Sequence, residues 1–346
     1  MGHSVAIDEV QRAGNDVVLA VKSLVDRRQD RGQFILAGST RFLSVPRLSE
    51  SLAGRAEVLD LWTLSQGELC GVRESFLDTL ISRPDQLPLQ RCEQIGRDQL
   101  FARVVRGGYP ELVDAPPASA ARWYRSYVRT VVERDVIEAS AITQAEELPT
   151  LLRLIAANSS GELVKTRLAG DARMGADRVD RYVGLLELVG LVVRIRAWTP
   201  SMTSREKRHS KVVITDTGLA CGLLGRNVEG LGSPMSPLTG PMLESFVAME
   251  LIKQRGWSEH QPTIRHWRDR NGAEVDLIVE DDSGRIAGIE VKASSTVSTT
   301  DVRHLRRLRD KLGDRFTAGV VLHLGERVVP LGERLWGLPV SACWAD

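Results

Sequence analysis

The chain has 346 residues, 42% hydrophobic and 26% charged, with a formal net charge of +1. That length supports two or three domains with real cores, and the near-neutral balance excludes a polycation, so any nucleic-acid surface must be local. The four cysteines (Cys70, Cys92, Cys221, Cys343) form no CxxC pair, the six histidines no HExxH cluster, and no secretion signal or membrane-length apolar run is visible, which reads as a cytoplasmic protein with reduced thiols.

Residues 1–64 alternate strand-like and helix-like segments. "SVAIDEV" (4–10) is an apolar run ending in two acids and suits a buried parallel strand. Val17, Val18, Val21, Leu24 and Val25 recur at helical spacing. "QFILAGS" (33–39) reads as a second strand, 47–53 as a short helix and "AEVLDLW" (56–62) as a third strand. Strand, helix, strand implies an α/β unit with a parallel sheet. Residues 65–147 read as a helical connector punctuated by "PDQLP" and "DAPPASA". Its stripe of Trp123, Tyr124, Tyr127, Val128, Val131 and Val132 is expected to pack rather than to react.

Residues 148–225 give three short helices followed by two β-rich runs, "LVVRIRAWT" and "KVVITDTG", the order of a winged helix-turn-helix. Arg178 and Arg181 fall on the third helix, and the wing loop carries Arg205, Lys207, Arg208 and Lys211. Such cations suit phosphate neutralisation, so DNA is an expected partner. Asp177, Asp180 and Glu187 dilute that charge, and a protein-contact role stays open. The Gly-, Pro- and Ser-rich stretch 226–240 reads as a linker. Residues 241–346 follow with a helix at 241–255, a strand near 263–268, a hairpin, and an amphipathic helix at 301–313 whose buried stripe is Val302, Leu305, Leu308 and Leu312. The strand "AGVVLHLG" and a final short element close the chain.

The hairpin, "GAEVDLIVEDDSGRIAGIEVKAS" (272–294), carries the densest chemistry. A three-residue turn Asp282-Ser283-Gly284 with glycine last is favoured, because glycine accepts the left-handed conformation there. That turn places Asp281 opposite Arg285, Asp276 opposite Glu290 and Glu274 opposite Lys292, all four of the last on one face. Opposed carboxylates repel, and a hard cation such as Mg²⁺ or Mn²⁺ between them relieves the repulsion. Lys292, about 7 Å along the strand from Glu290, could steady charge on a phosphate during attack by metal-activated water. The same pattern also suits a hairpin with a solvated polar face. In "GPMLESFVAMELIKQRG", Glu244 and Glu250 lie among Phe246, Val247, Met249 and Leu251, where a buried carboxylate needs a partner.

An acid on a helix, then Asp276, then Glu290-x-Lys292 across a hairpin resembles the PD-(D/E)xK restriction-endonuclease-like fold, with Val275 at the motif's proline position. The resemblance implies that Glu244, Asp276 and Glu290 bind the metal and that Lys292 assists catalysis. Across nearly the whole chain, the ordered set "DEVQRA", "LAGST", "RLSESLAGR", "LSQGE", "GGYPE", the winged-helix segment and the hairpin resembles a prokaryotic AAA+-like P-loop ATPase family whose C-terminal half is a domain of unknown function. This second resemblance implies that Asp8 reaches the Mg²⁺ of ATP and Glu9 polarises water. It also implies that Ser39 or Thr40 senses the γ-phosphate and that Arg55 acts like an arginine finger. The expected fold is therefore multidomain α/β: a truncated P-loop AAA+-like parallel sheet, a helical connector, a winged helix and an endonuclease-like domain at 241–346.

No GxxxxGK[ST] occurs, and the family's phosphate loop lies upstream of a strand that here begins three residues into the chain. Two functions are expected to compete: a DNA-associated protein with a metal-dependent nuclease-like module, and a non-catalytic ATPase-family scaffold or regulator. A second copy or a protein partner is compatible with either. Without the loop's N–H groups and lysine, the chain as given is expected not to hydrolyse ATP; equilibrium dialysis that finds micromolar ATP affinity would refute this.

Overall fold

The computed structural model describes residues 4–27, 30–38, 52–132, 147–200, 209–269 and 272–345. The expected site residues Ser39, Thr40, Arg205, Lys207 and Arg208 lie outside the described residues. The fold is mixed α/β with several sheets. Among the described residues no helix is long and apolar enough to cross a membrane.

At the N-terminal end β1 (Val5–Ile7) pairs in parallel with β2 (Phe34–Leu36), Val5 opposite Phe34. Helix α1 (Gly14–Arg27) buries Val18 and Val21 against Val10 and Leu52. The strand expected at 56–62 does not form, and Leu59 is 76% and Leu61 99% exposed there. Alternation of apolar residues makes a strand only where a neighbour accepts its backbone hydrogen bonds, and no described strand pairs with this one.

Four helices follow: α2 (Gln66–Cys70), α3 (Phe76–Ser82), α4 (Arg97–Arg106) and α5 (Pro117–Thr130). Ser65 and Glu68 close α2 with a reciprocal capping box. Tyr124 and Val128 of α5 are buried in the core, and Trp123 stacks on Tyr127 at 4.8 Å between ring centres. Helices α6 (Leu148–Ala157), α7 (Lys165–Ala172) and α8 (Ala176–Leu188) then lead into an antiparallel pair, β3 (Val192–Ile195) and β4 (Lys211–Ile214). Glu162 bridges to Lys211 on the far side of β4.

After α9 (Thr217–Leu224), the stretch expected as a linker is folded. Asn227 caps α10 (Val228–Gly232), Leu231 is fully buried, and Arg97 donates to the Gly232 carbonyl at 2.7 Å. Glycine, proline and serine there shape turns around a buried leucine rather than leave the chain loose. Helix α11 (Thr239–Gln254) precedes a six-stranded sheet of order β5 (Thr263–Arg268), β6 (Glu274–Glu280), β7 (Ile286–Lys292), β8 (Phe316–His323), β10 (Leu335–Pro339), β9 (Val329–Gly332). Strands β7 and β8 are parallel, and α12 (Arg303–Leu312) makes the crossover between them.

Leu305 and Leu308 of α12 cover one face of the sheet, against Val275, Ile278, Ile286 and Phe316. The other face, Leu277, Val279, Ala287, Ile289, Val320 and Leu322, shares one continuous core with residues from Phe76 to Trp344. The described part of the expected connector, residues 65–132, thus packs into that core. Helix α11 is strapped to them by buried polar bonds: Glu250 accepts from the Gln66 N–H at 2.7 Å, Lys253 donates to the Leu64 carbonyl at 3.0 Å, and Gln254 accepts from the Leu77 N–H at 3.4 Å.

Asp216 makes a second clasp. Its carboxylate accepts from the Gly108 N–H (2.8 Å), the Leu219 N–H that it caps (2.9 Å), Thr63 (3.1 Å) and Tyr124 (3.3 Å). A Cβ on Gly108 would lie 2.2 Å from the Leu64 carbonyl oxygen, so the second glycine of "GGYPE" is required by close packing of backbone on backbone. Replacing Asp216 with Ala leaves two buried N–H groups without acceptors and is expected to cost about 3 kcal/mol. Urea unfolding, with the exposed Asp310→Asn as the neutral reference, measures it.

Candidate functional site

The hairpin turn adopts the expected form. Gly284 has φ of 77°, and Asp281 donates to the Arg285 carbonyl at 3.1 Å. The ladder pairs Leu277 with Ile289 and Glu280 with Ile286. Continuing that register sets Asp276 opposite Glu290 and Glu274 opposite Lys292. Beyond Leu277, an oxygen of Asp276 accepts from the Val291 N–H at 2.8 Å, so a side chain takes over from the ladder. Glu274, Asp276, Glu290 and Lys292 line a pocket of about 420 Å³, with Arg303 and His304 from the start of α12 at its wall.

Glu244, from near the start of α11, meets the hairpin through Lys211 of β4. Lys211 Nζ lies 2.7 Å from a Glu244 oxygen, 2.7 Å from a Glu274 oxygen and 4.0 Å from an Asp276 oxygen. Lys292 instead donates to Glu290 Oε1 at 2.8 Å. Glu244 and Asp276 therefore share the ammonium of Lys211, while Lys292 holds Glu290. Among the described residues no three acidic, His or Cys side chains converge in metal-ligating geometry. Glu290 is only 7% exposed, and its second oxygen, Oε2, has no hydrogen-bond partner.

Lys211 was expected on a solvent-facing wing. It is 2% exposed, at the start of a strand buried at every position, so its charge goes to the carboxylates and not to a phosphate backbone. The overlooked signal is a lysine heading the apolar run "KVVI", since lysine is buried almost only when paired. Of the other expected DNA contacts, Arg178 is paired with Glu147 at 2.9 Å, and Arg181 is exposed beside the Tyr182 ring at 5.4 Å. Asp8 and Glu9 follow directly on β1, with the Glu9 N–H donating to Asp8 at 2.8 Å. Arg55 pairs with Asp26 of α1.

Burial dominates the ionisation of the cluster. It pushes the Glu244 carboxyl up to about 8, with Asp276 adding to the rise and Lys211 opposing it. Burial, then the Asp276 charge, pushes Glu290 up to about 7. Asp276 is also raised, chiefly by burial. Glu274 differs: burial raises it, but the Lys211 charge and hydrogen bond outweigh burial and hold it below the usual carboxylate range. Glu274 is therefore the ionised partner that matches Lys211, and Glu244 competes for what remains. Burial and the nearby Lys211 push His266 down to about 4, which keeps it neutral.

With this geometry, the chain can be set beside known proteins. Residues 2–70 match an AAA domain model, 97–229 a domain of unknown function (DUF8612) and 239–343 another (DUF4143). The AAA match and the second of these domains support an AAA-like family. The chain is similar to uncharacterized protein Rv2008c of Mycobacterium tuberculosis and uncharacterized protein Mb2031c of Mycobacterium bovis. Each is 29% identical over 340 residues, covering 97% of this chain and 68% of the relative. No solved structure matches the chain.

The raised carboxyls give stability a sign. The folded state holds protons on Glu244 and Glu290 that an unfolded chain releases near 4.5. That contribution is present below this value and is lost as pH rises through about 7 and about 8. In EDTA, the urea midpoint is expected to fall across that window, and Glu244→Gln to flatten the fall. Parallel pH profiles for the two proteins would rule this out.

Proposed function

We propose that the C-terminal unit is a metal-dependent phosphodiesterase acting on DNA, a nuclease-like module carried by an AAA-like protein. The observation that carries the reading is Glu290 Oε2: a buried carboxylate oxygen without a partner, in a pocket shared with Asp276 and Lys292. Charge points the same way. Among the described residues, Glu244, Glu274, Asp276 and Glu290 are ion-paired with two ammonium groups, Lys211 and Lys292, and Arg268 adds a more distant positive charge at Glu274, so full ionisation still leaves net negative charge that favours a divalent cation. Mg²⁺ characteristically uses one or two carboxylates and keeps its remaining positions for water and substrate phosphate. Asp276 and Glu290 fit that requirement without a third acid.

A divalent ion bound there would polarise the phosphoryl oxygen and supply the hydroxide nucleophile. The chain's own residues do the rest. Asp276 is oriented by the Val291 N–H, and Lys292, fixed by Glu290, meets the charge that builds on the phosphate. Arg303 and His304 line the wall where the adjoining strand would pass. The three helices and antiparallel pair of residues 148–214 support a winged-helix reading and hence DNA contact, with Arg181 as the exposed cation of the third helix. Asp8 and Glu9, at the end of a parallel strand, support a nucleotide role for the AAA-like segment. The competing reading, a non-catalytic scaffold, is favoured by one observation: Lys211 already neutralises part of the carboxylate face.

Plasmid nicking in Mg²⁺ or Mn²⁺ decides between them. The wild type is expected to nick, and Asp276→Ala and Lys292→Ala each to lose about 100-fold or more. A wild type without activity, or two variants as active as it, would leave the scaffold.

A further inference from the structure

We propose that Lys211 is a resident counter-ion that permanently fills one of two cation positions on the carboxylate face, so that the site accepts a single divalent ion, on its Asp276–Glu290 side. This rests on the metal-dependent reading above and specifies its stoichiometry.

The face has two places where positive charge is demanded. The first lies among Glu244, Glu274 and Asp276, and the ammonium of Lys211 occupies it at 2.7, 2.7 and 4.0 Å. The second lies between Asp276 and Glu290, at the pocket, where Glu290 Oε2 has no partner. Sites with two metals hold them about 3.5–4 Å apart. Asp276 is the acid common to both places, as a bridging carboxylate would be, but one of the two cations here is supplied by the chain.

Lys211 is not a surface side chain that has folded inward. It belongs to β4, opposite Ile195 of β3, and its neighbours are held on the other side by the Leu163 N–H donating to the Ser210 carbonyl (2.7 Å) and the Val212 N–H donating to the Gly161 carbonyl (3.3 Å). The continuation of β3 then runs along the free edge of β5. The His266 N–H donates to the Arg196 carbonyl at 3.0 Å, and the Trp198 N–H to the His266 carbonyl at 2.6 Å. Arg268 of β5 lies 3.5 Å from Glu162. The backbone bonds aim the lysine at the acids and do not depend on a metal being present. An ammonium fixed in this position repels a second divalent ion from the same oxygens.

The test is Mn²⁺ binding to the full chain, counted by calorimetry, with the electron paramagnetic resonance spectrum as a check for coupled ions. Wild type and Lys211→Arg are expected to bind one uncoupled ion, and Asp276→Asn to lose it. Lys211→Met is expected to bind two ions, or to bind the first about tenfold more tightly, because a fixed positive charge has been removed. Two ions in the wild type, or Lys211→Met with one ion at unchanged affinity, would overturn the proposal and leave the metal-dependent reading intact. No Mn²⁺ bound by folded wild type would overturn both. If Lys211→Met does not fold, the wild-type count and spectrum decide: one uncoupled ion supports the proposal, and a coupled pair sinks it.

Discussion

Four carboxylates sit within one small region because two ammonium groups, Lys211 above all, sit among them. Moving a carboxylate out of water costs several kcal/mol unless a partner restores what the solvent supplied. Glu244 comes from a helix, Glu274 and Asp276 from one hairpin strand, and Lys211 from a different sheet. The ion cluster therefore does more than balance charge. It joins α11, the β6–β7 hairpin and the β3–β4 pair at one point, and each element's position depends on the other two. Burial, with the Asp276 charge adding to it, pushes the Glu244 and Glu290 carboxyls up, while the Lys211 charge and hydrogen bond hold Glu274 down.

Around that point, the described residues from Phe76 onward pack into one large core, with a second cluster under α12 on the other face of the sheet. The segments that looked like boundaries are where it is tied together. Glu250, Lys253 and Gln254 bind the backbone of residues 64–77, and Asp216 gathers the Gly108 and Leu219 amides with Thr63 and Tyr124. Conspicuous motifs such as "GGYPE" and "TDTG" thus have a packing explanation. The AAA-like segment contrasts with this. Its described part is two short parallel strands and a helix around a small cluster of valines and a leucine, with Val5, Leu24 and Ile35 exposed. Little apolar area is buried there to hold it.

Period and turn chemistry were legible in the sequence wherever the determinants are local. The hairpin register followed from Gly284 and two-residue alternation, and α12 followed from apolar spacing. The orientation of four polar residues on one face of the hairpin needed nothing more. What could not be read was which distant groups would meet. "AEVLDLW" has the pattern of a strand but no neighbour to pair with, the 226–240 stretch has the composition of a linker but buries Leu231, and Lys211 has the look of a wing cation but is enclosed by acids from two other elements.

The residues by themselves determined that Asp276, Glu290 and Lys292 share a strand pair and that Glu244 lies on a buried helix, because backbone geometry repeats every two or 3.6 residues regardless of the surroundings. Only the tertiary structure decided which cation answers which acid. Desolvation and Coulomb energy depend on where separate elements come to rest, and no local pattern carries that information.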